Sequence, residues 1–295
     1  MPDTYGYEVP EQRAQETLKR FFQGPVNMLD TSRNYAMGES EKRIGIAIKE
    51  NGGWPENFVL STKIDRNMDT LVLDKKRTRE SIEESLKTLN VDSVDVLFLH
   101  DPEYVKDVND VTKKDGALDE LFKIKEEGLA KAVGLAMGRI DIMFPILRKW
   151  DFDVIINHNR YTLLNREADE MYSYAHSKNI SIFNAAPYAG GVLAKGPSNF
   201  KKITYQDATE EKLAPAIEIE KVCKKYNVEM GAAALQFSMK DKRITSTICG
   251  VTSVQSIEKN LAWAKTDISE EFWNEVLKLP YSTKDPESER TYTPG

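Results

Sequence analysis

The sequence is poor in cysteine and has no long hydrophobic run. Cys223 and Cys249 are the only cysteines in 295 residues, which argues against a disulfide framework and indicates buried thiols in a reducing compartment. No apolar stretch approaches the roughly 18–20 residues that span a bilayer. A basic start followed by an apolar segment, the mark of a secretory signal, is also missing. These absences predict a cytoplasmic protein without a membrane partner.

Histidine is scarce too, which narrows the chemistry. His100, His158 and His176 are scattered, and the patterns His-x-x-x-His, Cys-x-x-Cys and the acidic calcium loop are missing. We therefore predict no metal site. No serine or cysteine is marked by a nearby motif as an activated nucleophile. The net charge of −6 argues against nucleic acid as a partner. We expect a small-molecule substrate and a monomer or weak homo-oligomer.

Short apolar runs alternate regularly with charged segments that have helical periodicity. The runs are continuously apolar, as expected for strands of a parallel sheet covered on both faces, and they recur about every 30 residues, as βα units do. This alternation predicts an α/β fold, a (β/α)8 TIM barrel formed as one domain by residues 1–295. The predicted strands span residues 26–30, 58–63, 94–100, 131–136, 153–158, 180–186 and about 244–250.

The predicted barrel is one strand short, because eight are needed and seven are found. The shortfall lies at the start, where MPDTYGYEVP is polar and turn-rich and a helix follows at once. We expect either that the given sequence begins after the true first strand, or that part of residues 1–8 completes the sheet poorly. The alternative is an open doubly wound sheet, which usually carries G-x-G-x-x-G after its first strand. That pattern is absent here.

Four polar residues follow the first three predicted strands at the same end. Asp30, Lys63 and His100 end these strands, and Tyr35 follows the first after the short loop TSRNY. A tyrosine pKa near 10 is too high for efficient proton exchange at neutral pH, and a neighbouring ammonium such as that of Lys63 lowers it. Asp30 can keep Lys63 charged and oriented, and His100 can hold a substrate oxygen. The set predicts proton transfer at a carbonyl or alcohol oxygen.

Taken singly, each of the four residues also fits a structural role. Asp30 could cap a turn or helix, Tyr35 could pack in its loop, and Lys63 could be a solvated strand end. His100 could be a turn residue. The functional prediction depends on their joint appearance at one end of consecutive strands.

Several motifs resemble those of the aldo-keto reductases over about residues 27–263. They read LDTSRNYAMGESEKRIGIAIKE, VLSTK, VDVLFLHDPE, RYTLLNRE, NAAPYAGGVLAKG and CGVTSVQSIEKN. The resemblance implies a (β/α)8 barrel that moves hydride between NAD(P)H and a carbonyl, with its first strand upstream of this sequence. It also implies that Tyr35 is the general acid/base, that Lys63 tunes it, that Asp30 supports Lys63 and that His100 orients the substrate.

The resemblance also implies where the nicotinamide cofactor binds, with some departures. The family's Ser-Asn pair after the fifth strand is replaced by Ala136 and Met137, and the seventh-strand stacking tyrosine by Ala185. Asn157 and His158 on the next strand are therefore the predicted carboxamide contacts, along with Asn159 as a further possibility; the alternative is that they only cap the strand.

The long segment 187–209 resembles the loop that folds over the dinucleotide, where glycine permits close backbone approach; the alternative is a mobile surface loop. Its predicted cofactor contacts are Pro187, Gly190, Gly191 and Lys195.

The eighth unit bears on the choice between NAD and NADP. Relatives that prefer NADP place Arg or Lys there to meet the 2′-phosphate, whereas CGVTSVQSIEKN has only Lys259. This favours NAD, although backbone N–H groups of residues 250–253 could still bind phosphate. The predicted contacts in this unit are Gly250, Thr252, Ser253, Gln255 and, resembling an adenine-contacting asparagine, Asn260.

RYTLLN together with NAAPYAGGVLAKG resembles the branch of aldose 1-dehydrogenases and pyridoxal 4-dehydrogenase. That branch oxidises cyclic hemiacetals to lactones with NAD(P), so we predict hydride transfer between a nicotinamide cofactor and an aldose hemiacetal or related aldehyde or alcohol. The alternatives are a general NADPH-dependent aldehyde or ketone reductase and a cofactor-sensing regulatory subunit. Candidate substrate contacts, equally plausible as packing residues, are Trp54, Phe144, Tyr161 and Tyr188.

Overall fold

The computed structural model describes residues 8–290, and its main feature is a sheet of seven parallel strands. These are β1 (Met28–Asp30), β2 (Val59–Ile64), β3 (Val94–His100), β4 (Ala130–Met137), β5 (Val154–His158), β6 (Ser181–Ala185) and β9 (Ser246–Ile248); a hairpin of β7 (Lys202–Ile203) and β8 (Gln206–Asp207) precedes the last.

The order of the strands decides between the two predicted folds. Each strand of the large sheet pairs in parallel with the one before it, in the order β1-β2-β3-β4-β5-β6-β9. A doubly wound sheet reverses its order at a switch point, whereas barrel strands follow one another around the axis. The predicted barrel architecture is therefore confirmed, and the doubly wound alternative is excluded.

Amphipathic helices cover the outside of the sheet. Capping side chains set several of their starts: Asp74, Thr209 and Ser269 each accept a hydrogen bond from a backbone N–H of the first helical turn. Among the described residues, no helix is both long and apolar enough to cross a bilayer. The helices are α1 (Glu11–Phe21), α2 (Glu39–Glu50), α3 (Lys75–Leu89), α4 (Val108–Thr112), α5 (Ala117–Glu126), α6 (Ile140–Leu147), α7 (Asp169–Ser177), α8 (Val192–Lys195), α9 (Glu210–Lys225), α10 (Met230–Lys240), α11 (Val254–Lys265) and α12 (Glu270–Val276).

The sheet has one open seam, between β1 and β9, which are not paired within the described part of the chain. Helix α1 connects to the other side of this seam. Arg13 donates from Nε to the carbonyl of Thr252 at 2.9 Å, and Arg20 Nε lies 2.5 Å from Glu258 Oε1 in α11. The helical layer is therefore continuous where the sheet is not. The prediction that part of residues 1–8 completes the sheet poorly stays a prediction, because residues 1–7 lie outside the described residues.

Side-chain alternation along the strands separates two parts of the core, because successive residues point to opposite faces. One face packs on the helices, as Leu97 and Leu99 of β3 do. The other face fills the barrel interior, where the rings of Phe98 and Phe183 meet edge to face at 6.0 Å. The inner cluster consists of Val96, Phe98, Ala136, Val154, Ile156 and Phe183.

The segment after β6 and the C-terminal tail differ in secondary structure. Segment 187–209 contains a short helix, α8, and the β7–β8 hairpin, so it is more ordered than a plain loop. The tail, residues 281–290, forms no helix or strand of its own. This tail runs back to the loop after β5, where Ser282 donates to the carbonyl of Leu164 at 2.9 Å. It therefore reaches the end of the barrel at which the strands finish.

Candidate active site

Three of the four predicted catalytic residues point to the barrel interior at the C-terminal ends of their strands. Met28 and Val59 pack on the inner cluster that includes Phe98. Asp30, Lys63 and His100 follow these inner residues by even numbers of positions along β1, β2 and β3. Because the side-chain period of a strand is two, all three turn inward at one rim. The sheet thereby brings together residues that are far apart in sequence.

Lys63 is a buried ammonium with two oxygen partners. Its Nζ lies 2.7 Å from Asp30 Oδ2 and donates to the carbonyl of Thr31 at 2.6 Å, and only 2% of its side chain is exposed. A buried charge is tolerated when it is paired and hydrogen-bonded. Ser61 in turn donates to Asp30 Oδ1 at 2.5 Å. Both members of the ion pair are therefore held in one orientation.

Tyr35 lies between Lys63 and His100. It opens a short 3-10 turn that ends at Gly38, which takes a φ of 92°. Lys63 Nζ is 4.6 Å from the centroid of the phenol ring, and the imidazole of His100 meets that ring edge to face at 5.8 Å. The structure thus brings all four residues of the predicted set to one place.

Asp65 is a member of this site that the sequence reasoning missed. Its Oδ1 lies 2.5 Å from His100 Nδ1, and its side chain is fully buried. Burial by itself raises the pKa of Asp65, but attraction to His100 and hydrogen bonds outweigh it, so the pKa is lowered. A signal was available, because Asp65 follows Lys63 by two positions and so shares its inward direction.

Opposing effects act on the pKa of His100. Burial lowers its pKa, but the nearby charges of Asp101 and Asp65 raise it more, and the pKa is raised overall; Lys63 acts in the opposite direction. Nε2 of His100, the nitrogen not bound to Asp65, lies 3.7 Å from Asp101 Oδ2.

A second histidine, His158, stands at the end of β5 on the same inward-facing register as Val154 and Ile156. Its Nδ1 lies 3.4 Å from Glu287 Oε2 in the tail. Burial lowers the pKa of His158, and Arg160 adds to this, whereas Glu287 opposes it. The sequence reasoning placed His158 at the site but not Glu287.

Arg160 joins the tail to this side of the rim. Its guanidinium lies 2.5 Å from Glu287 Oε2 and 2.6 Å from Asp285 Oδ1. Arg160 and Glu287 are both almost fully buried. Burial raises the pKa of Glu287, but His158 and Arg160 outweigh it and the pKa is lowered. No periodic pattern in the tail sequence signals this contact.

Asn157 points the other way. It is fully buried, and its Nδ2 donates to the carbonyls of Met137 and Gly138 at 2.9 Å each. Its amide also lies 3.7 Å from Met143 Sδ of α6. Of the two predicted carboxamide contacts, His158 therefore reaches the inner rim, whereas Asn157 lies toward the helices.

The loop after β6 holds the next group of predicted cofactor residues. Pro187 is buried at its start. Gly190 has a φ of 75°, and a Cβ there would lie 2.8 Å from the backbone nitrogen of Tyr205 in the hairpin. Gly191 also has positive φ, 117°. Lys195 is exposed, and its Nζ lies 4.2 Å from the ring of Phe200.

The predicted contacts of the eighth unit lie at the start of α11. Ser253 caps the helix and forms a reciprocal capping box with Ser256, and Gln255 is exposed. At Gly250 an added Cβ would meet nothing within 4 Å among the described residues. Thr252 accepts from Arg13 through its carbonyl, as described above. The backbone at Gly250 is thus open to close approach.

Asn260 connects the two predicted cofactor segments. Its Oδ1 accepts a hydrogen bond from the hydroxyl of Tyr188, and its Nδ2 donates to the carbonyl of Ser256 at 2.9 Å. Burial raises the pKa of Tyr188. The loop after β6 and helix α11 are therefore adjacent. The binding roles of these residues stay predictions.

Three of the four candidate substrate contacts have partners within the protein that fit the alternative of packing residues; their contact with a substrate stays a prediction. Trp54 lies in the loop before β2, at the opposite end of the strands, where its ring stacks near Phe21 at 6.3 Å. Phe144 of α6 meets Tyr174 of α7 at 5.4 Å. The hydroxyl of Tyr161 donates to Asp241 Oδ2 at 2.6 Å.

Comparison with known proteins identifies the family to which the chain belongs. The sequence profile of the Aldo/keto reductase family matches residues 3–279. The chain belongs to the aldo/keto reductase family. The predicted resemblance is thereby confirmed, and with it the assignment to a family of oxidoreductases. Two aldose-related dehydrogenases are among its relatives, as the predicted branch implies.

The aldo/keto reductase relatives cover nearly the whole chain. L-galactose dehydrogenase of Arabidopsis thaliana is 30% identical over 266 residues, covering 86% of this chain and 78% of the relative. D-threo-aldose 1-dehydrogenase of Pseudomonas sp is 27% identical over 294 residues, covering 91% and 88%. The holo form of an aldo-keto reductase from Bacillus halodurans superposes with a TM-score of 0.77 at 19% identity, covering 98% and 93%. The last of these supports the fold alone.

Proposed function

We propose that this protein is an NAD(P)-dependent oxidoreductase that transfers hydride between a nicotinamide cofactor and an aldose hemiacetal or a related aldehyde or alcohol. The observation that carries the proposal is the position of the Tyr35 ring, 4.6 Å from the ammonium of Lys63 and 5.8 Å from the imidazole of His100. The names of the two dehydrogenase relatives support an aldose as the substrate class.

The residues of the site act on the proton that accompanies the hydride. In the oxidising direction the phenolate of Tyr35 accepts the proton of the substrate hydroxyl, and in the reducing direction the phenol returns it to the carbonyl oxygen. The Lys63 ammonium, kept in place by Asp30, stabilises the negative charge of the phenolate. His100 holds the substrate oxygen close to Tyr35. The same groups thus serve both directions.

The residues at the rim fit a nicotinamide dinucleotide. The buried Oδ1 of Asn159 has no hydrogen-bond partner in the described part of the chain, although buried polar atoms are normally paired; it suits the carboxamide N–H of a nicotinamide. The open backbone at Gly250 suits a phosphate beside the start of α11. When bound, the nicotinamide accepts or supplies the hydride.

We further propose that NAD is preferred over NADP. Lys259, the only cation in residues 249–260, lies 3.8 Å from Glu229 Oε2 and 4.6 Å from the ring of Trp263, so it is drawn away from the start of α11. The guanidinium of Arg13 does bind this loop, because its Nε donates to the Thr252 carbonyl at 2.9 Å. Arg13 is therefore the residue to test if NADP binds well.

The decisive experiment compares wild type with Tyr35→Phe over a set of cofactor and substrate pairs. Turnover is monitored in both directions by the absorbance of the reduced nicotinamide. NAD and NADP are offered with L-galactose, other aldoses and pyridoxal, and NADPH with simple aldehydes. We expect wild-type NAD reduction with an aldose and a loss of about 10²–10⁴-fold in Tyr35→Phe, the usual contribution of a general acid/base. Cofactor binding, measured by quenching of tryptophan fluorescence, should be unchanged in the variant.

Tyr226→Phe is the matched control, because Tyr226 bonds Glu275 on the helical layer, outside the rim. It should turn over like wild type. Equal rates in wild type and Tyr35→Phe would remove Tyr35 from the mechanism. Turnover only with NADPH and simple aldehydes would favour the general reductase, and cofactor binding without turnover would favour the regulatory subunit.

Cofactor preference is tested by the dissociation constants of NAD and NADP for wild type and Arg13→Gln. We expect NAD to bind more tightly to both proteins. Tighter NADP binding in wild type would contradict the proposal, and its loss in Arg13→Gln would assign the 2′-phosphate to Arg13.

A further inference from the structure

His100 is held through its Nδ1 by a carboxylate that has no access to solvent. Asp65 Oδ1 lies 2.5 Å from this nitrogen, and the hydroxyl of Ser32 lies 3.3 Å from it. Asp65 is fully buried, and Ser32 is too. Because a buried carboxylate requires several hydrogen bonds, its partners should be fixed, and four contacts to its two oxygens bear this out.

The other partners of Asp65 belong to the loop that carries Tyr35. Ser32 donates from Oγ to Asp65 Oδ2 at 2.6 Å. Asn34 donates from its backbone nitrogen to Oδ2 at 3.0 Å and from Nδ2 to Oδ1 at 2.9 Å. Asn34 immediately precedes Tyr35 in the sequence. One carboxylate is therefore bonded to His100 and to the loop that presents Tyr35.

Asp65 itself is fixed from the helical side. Its backbone N–H donates a hydrogen bond to Ser81 Oγ of α3 at 3.0 Å, and its carbonyl accepts one from Arg77 Nε of α3 at 3.0 Å. Helix α3 thus holds Asp65 in place, and Asp65 in turn holds His100 and the loop that carries Tyr35.

We propose that Asp65 is a positioning residue of the active site: it accepts the Nδ1–H of His100, which turns Nε2 toward the substrate, and it holds Tyr35 through Asn34. The functional part of this inference rests on the proposed oxidoreductase function, whereas the state of the imidazole does not.

The pairing has an electrostatic consequence. The titratable groups that face His100 are those of Asp65, Asp101, Lys63, Tyr35 and His158. The two carboxylates favour the cationic imidazole, and Lys63 disfavours it. Removing the charge of Asp65 while keeping an acceptor for Nδ1–H should therefore lower the pKa of His100 without changing its tautomer.

The state of the imidazole can be read directly by NMR, because the chain has only three histidines. The protein is labelled with ¹⁵N-histidine, and His158→Gln and His176→Gln assign the remaining signals. For wild type we expect the neutral form of His100 to carry its proton on Nδ1. For Asp65→Asn, which is nearly isosteric, we expect the titration of His100 to move to lower pH.

Glu287→Gln is the matched control, since Glu287 is the carboxylate beside His158 at the other side of the rim. It should shift the titration of His158 and leave the tautomer of His100 unchanged. Ser32→Ala, which removes the second contact to Nδ1, should keep the tautomer as well.

Turnover supplies the second readout. We expect kcat of Asp65→Asn to fall about tenfold or more with a smaller change in KM, as for a lost transition-state interaction. A proton on Nε2 in wild type, or an unchanged His100 titration in Asp65→Asn, would overturn the inference. The wild-type tautomer needs no variant, so the test holds even where a variant does not fold. A failure of the proposed function would show instead as absent turnover in wild type.

Discussion

Two histidine–carboxylate pairs lie at the C-terminal rim of the barrel, and they differ in distance, in the origin of the carboxylate and in the direction of the histidine pKa shift. His100 and Asp65 stand 2.5 Å apart; His100 ends β3, and Asp65 directly follows the neighbouring strand β2. His158 and Glu287 stand 3.4 Å apart, and the second arrives from the tail. The pKa of His100 is raised, and that of His158 is lowered.

The difference teaches that a carboxylate neighbour alone does not decide the charge of a histidine. Burial lowers the pKa of both. Two close carboxylates overcome this at His100, whereas at His158 the positive charge of Arg160 adds to the effect of burial and Glu287 is too weak to reverse it. One side of the rim therefore favours a cation and the other a neutral imidazole.

The largest expected effect comes from breaking the charge pair on the His100 side. In Lys63→Met the buried carboxylate of Asp30 loses its partner, and loss of one member of a buried pair costs about 3–5 kcal/mol. We expect that decrease in the free energy of unfolding, measured with urea, together with a loss of turnover of at least about 10²-fold.

The double variant Asp30→Asn/Lys63→Met separates the two effects. Stability should be largely restored, because no unpaired charge stays buried, while turnover should stay lost. Recovery of turnover in the double variant would show that Lys63 serves only the fold.

A smaller effect is expected on the His158 side. Arg160→Met leaves the buried Glu287 with one guanidinium, that of Arg290 at 2.7 Å, in place of two, so the free energy of unfolding should fall by about 1–3 kcal/mol. Adding Glu287→Gln should recover most of it. The His100 titration should be unchanged in both variants.

If Arg160→Met instead reduces turnover as strongly as Lys63→Met while the fold keeps its stability, the contact of Arg160 with Glu287 serves turnover and not the fold. Thermal melting and steady-state kinetics of the same samples decide this.

The smallest effect, and the sharpest test of the contrast, is the dependence of stability on pH. A raised folded-state pKa means that His100 stabilises the fold fully below its unfolded pKa of about 6.5 and that this contribution is lost as pH rises through the folded pKa. His158, with a lowered pKa, acts oppositely: its protonation on unfolding costs the fold stability as pH falls below about 6.5.

Urea unfolding of wild type, His100→Gln and His158→Gln at a series of pH values measures how the contribution of each histidine to stability depends on pH. The stability advantage of wild type over His100→Gln should shrink with rising pH, and that over His158→Gln should grow. Each slope is limited to about 1.4 kcal/mol per pH unit for one proton. Slopes of the same sign would contradict the contrast between the two sides.

The sequence was sufficient for the arrangement of Asp30, Tyr35, Lys63 and His100. Strand positions follow from local hydrophobic runs, and parallel strands finish at one rim, so residues at strand ends could be placed together without coordinates. Strand periodicity could also have separated His158 from Asn157, which point to opposite faces. For Trp54, the choice between substrate contact and packing could have been made from the sequence, because its place between α2 and β2 already puts it at the other end of the barrel.

By itself, then, the sequence determined the barrel order and the rim at which Asp30, Tyr35, Lys63 and His100 meet, because both depend on short-range periodicity repeated along the chain. Only the tertiary structure decided the surroundings of the two histidines. Asp65 bonds the Tyr35 loop through the path of residues 31–34, and Glu287 reaches Arg160 across 127 positions. Contacts of this kind depend on how loops and a tail without periodicity cross the rim. The balance between burial and neighbouring charges, which sets the direction of each pKa shift, exists only once these contacts have formed.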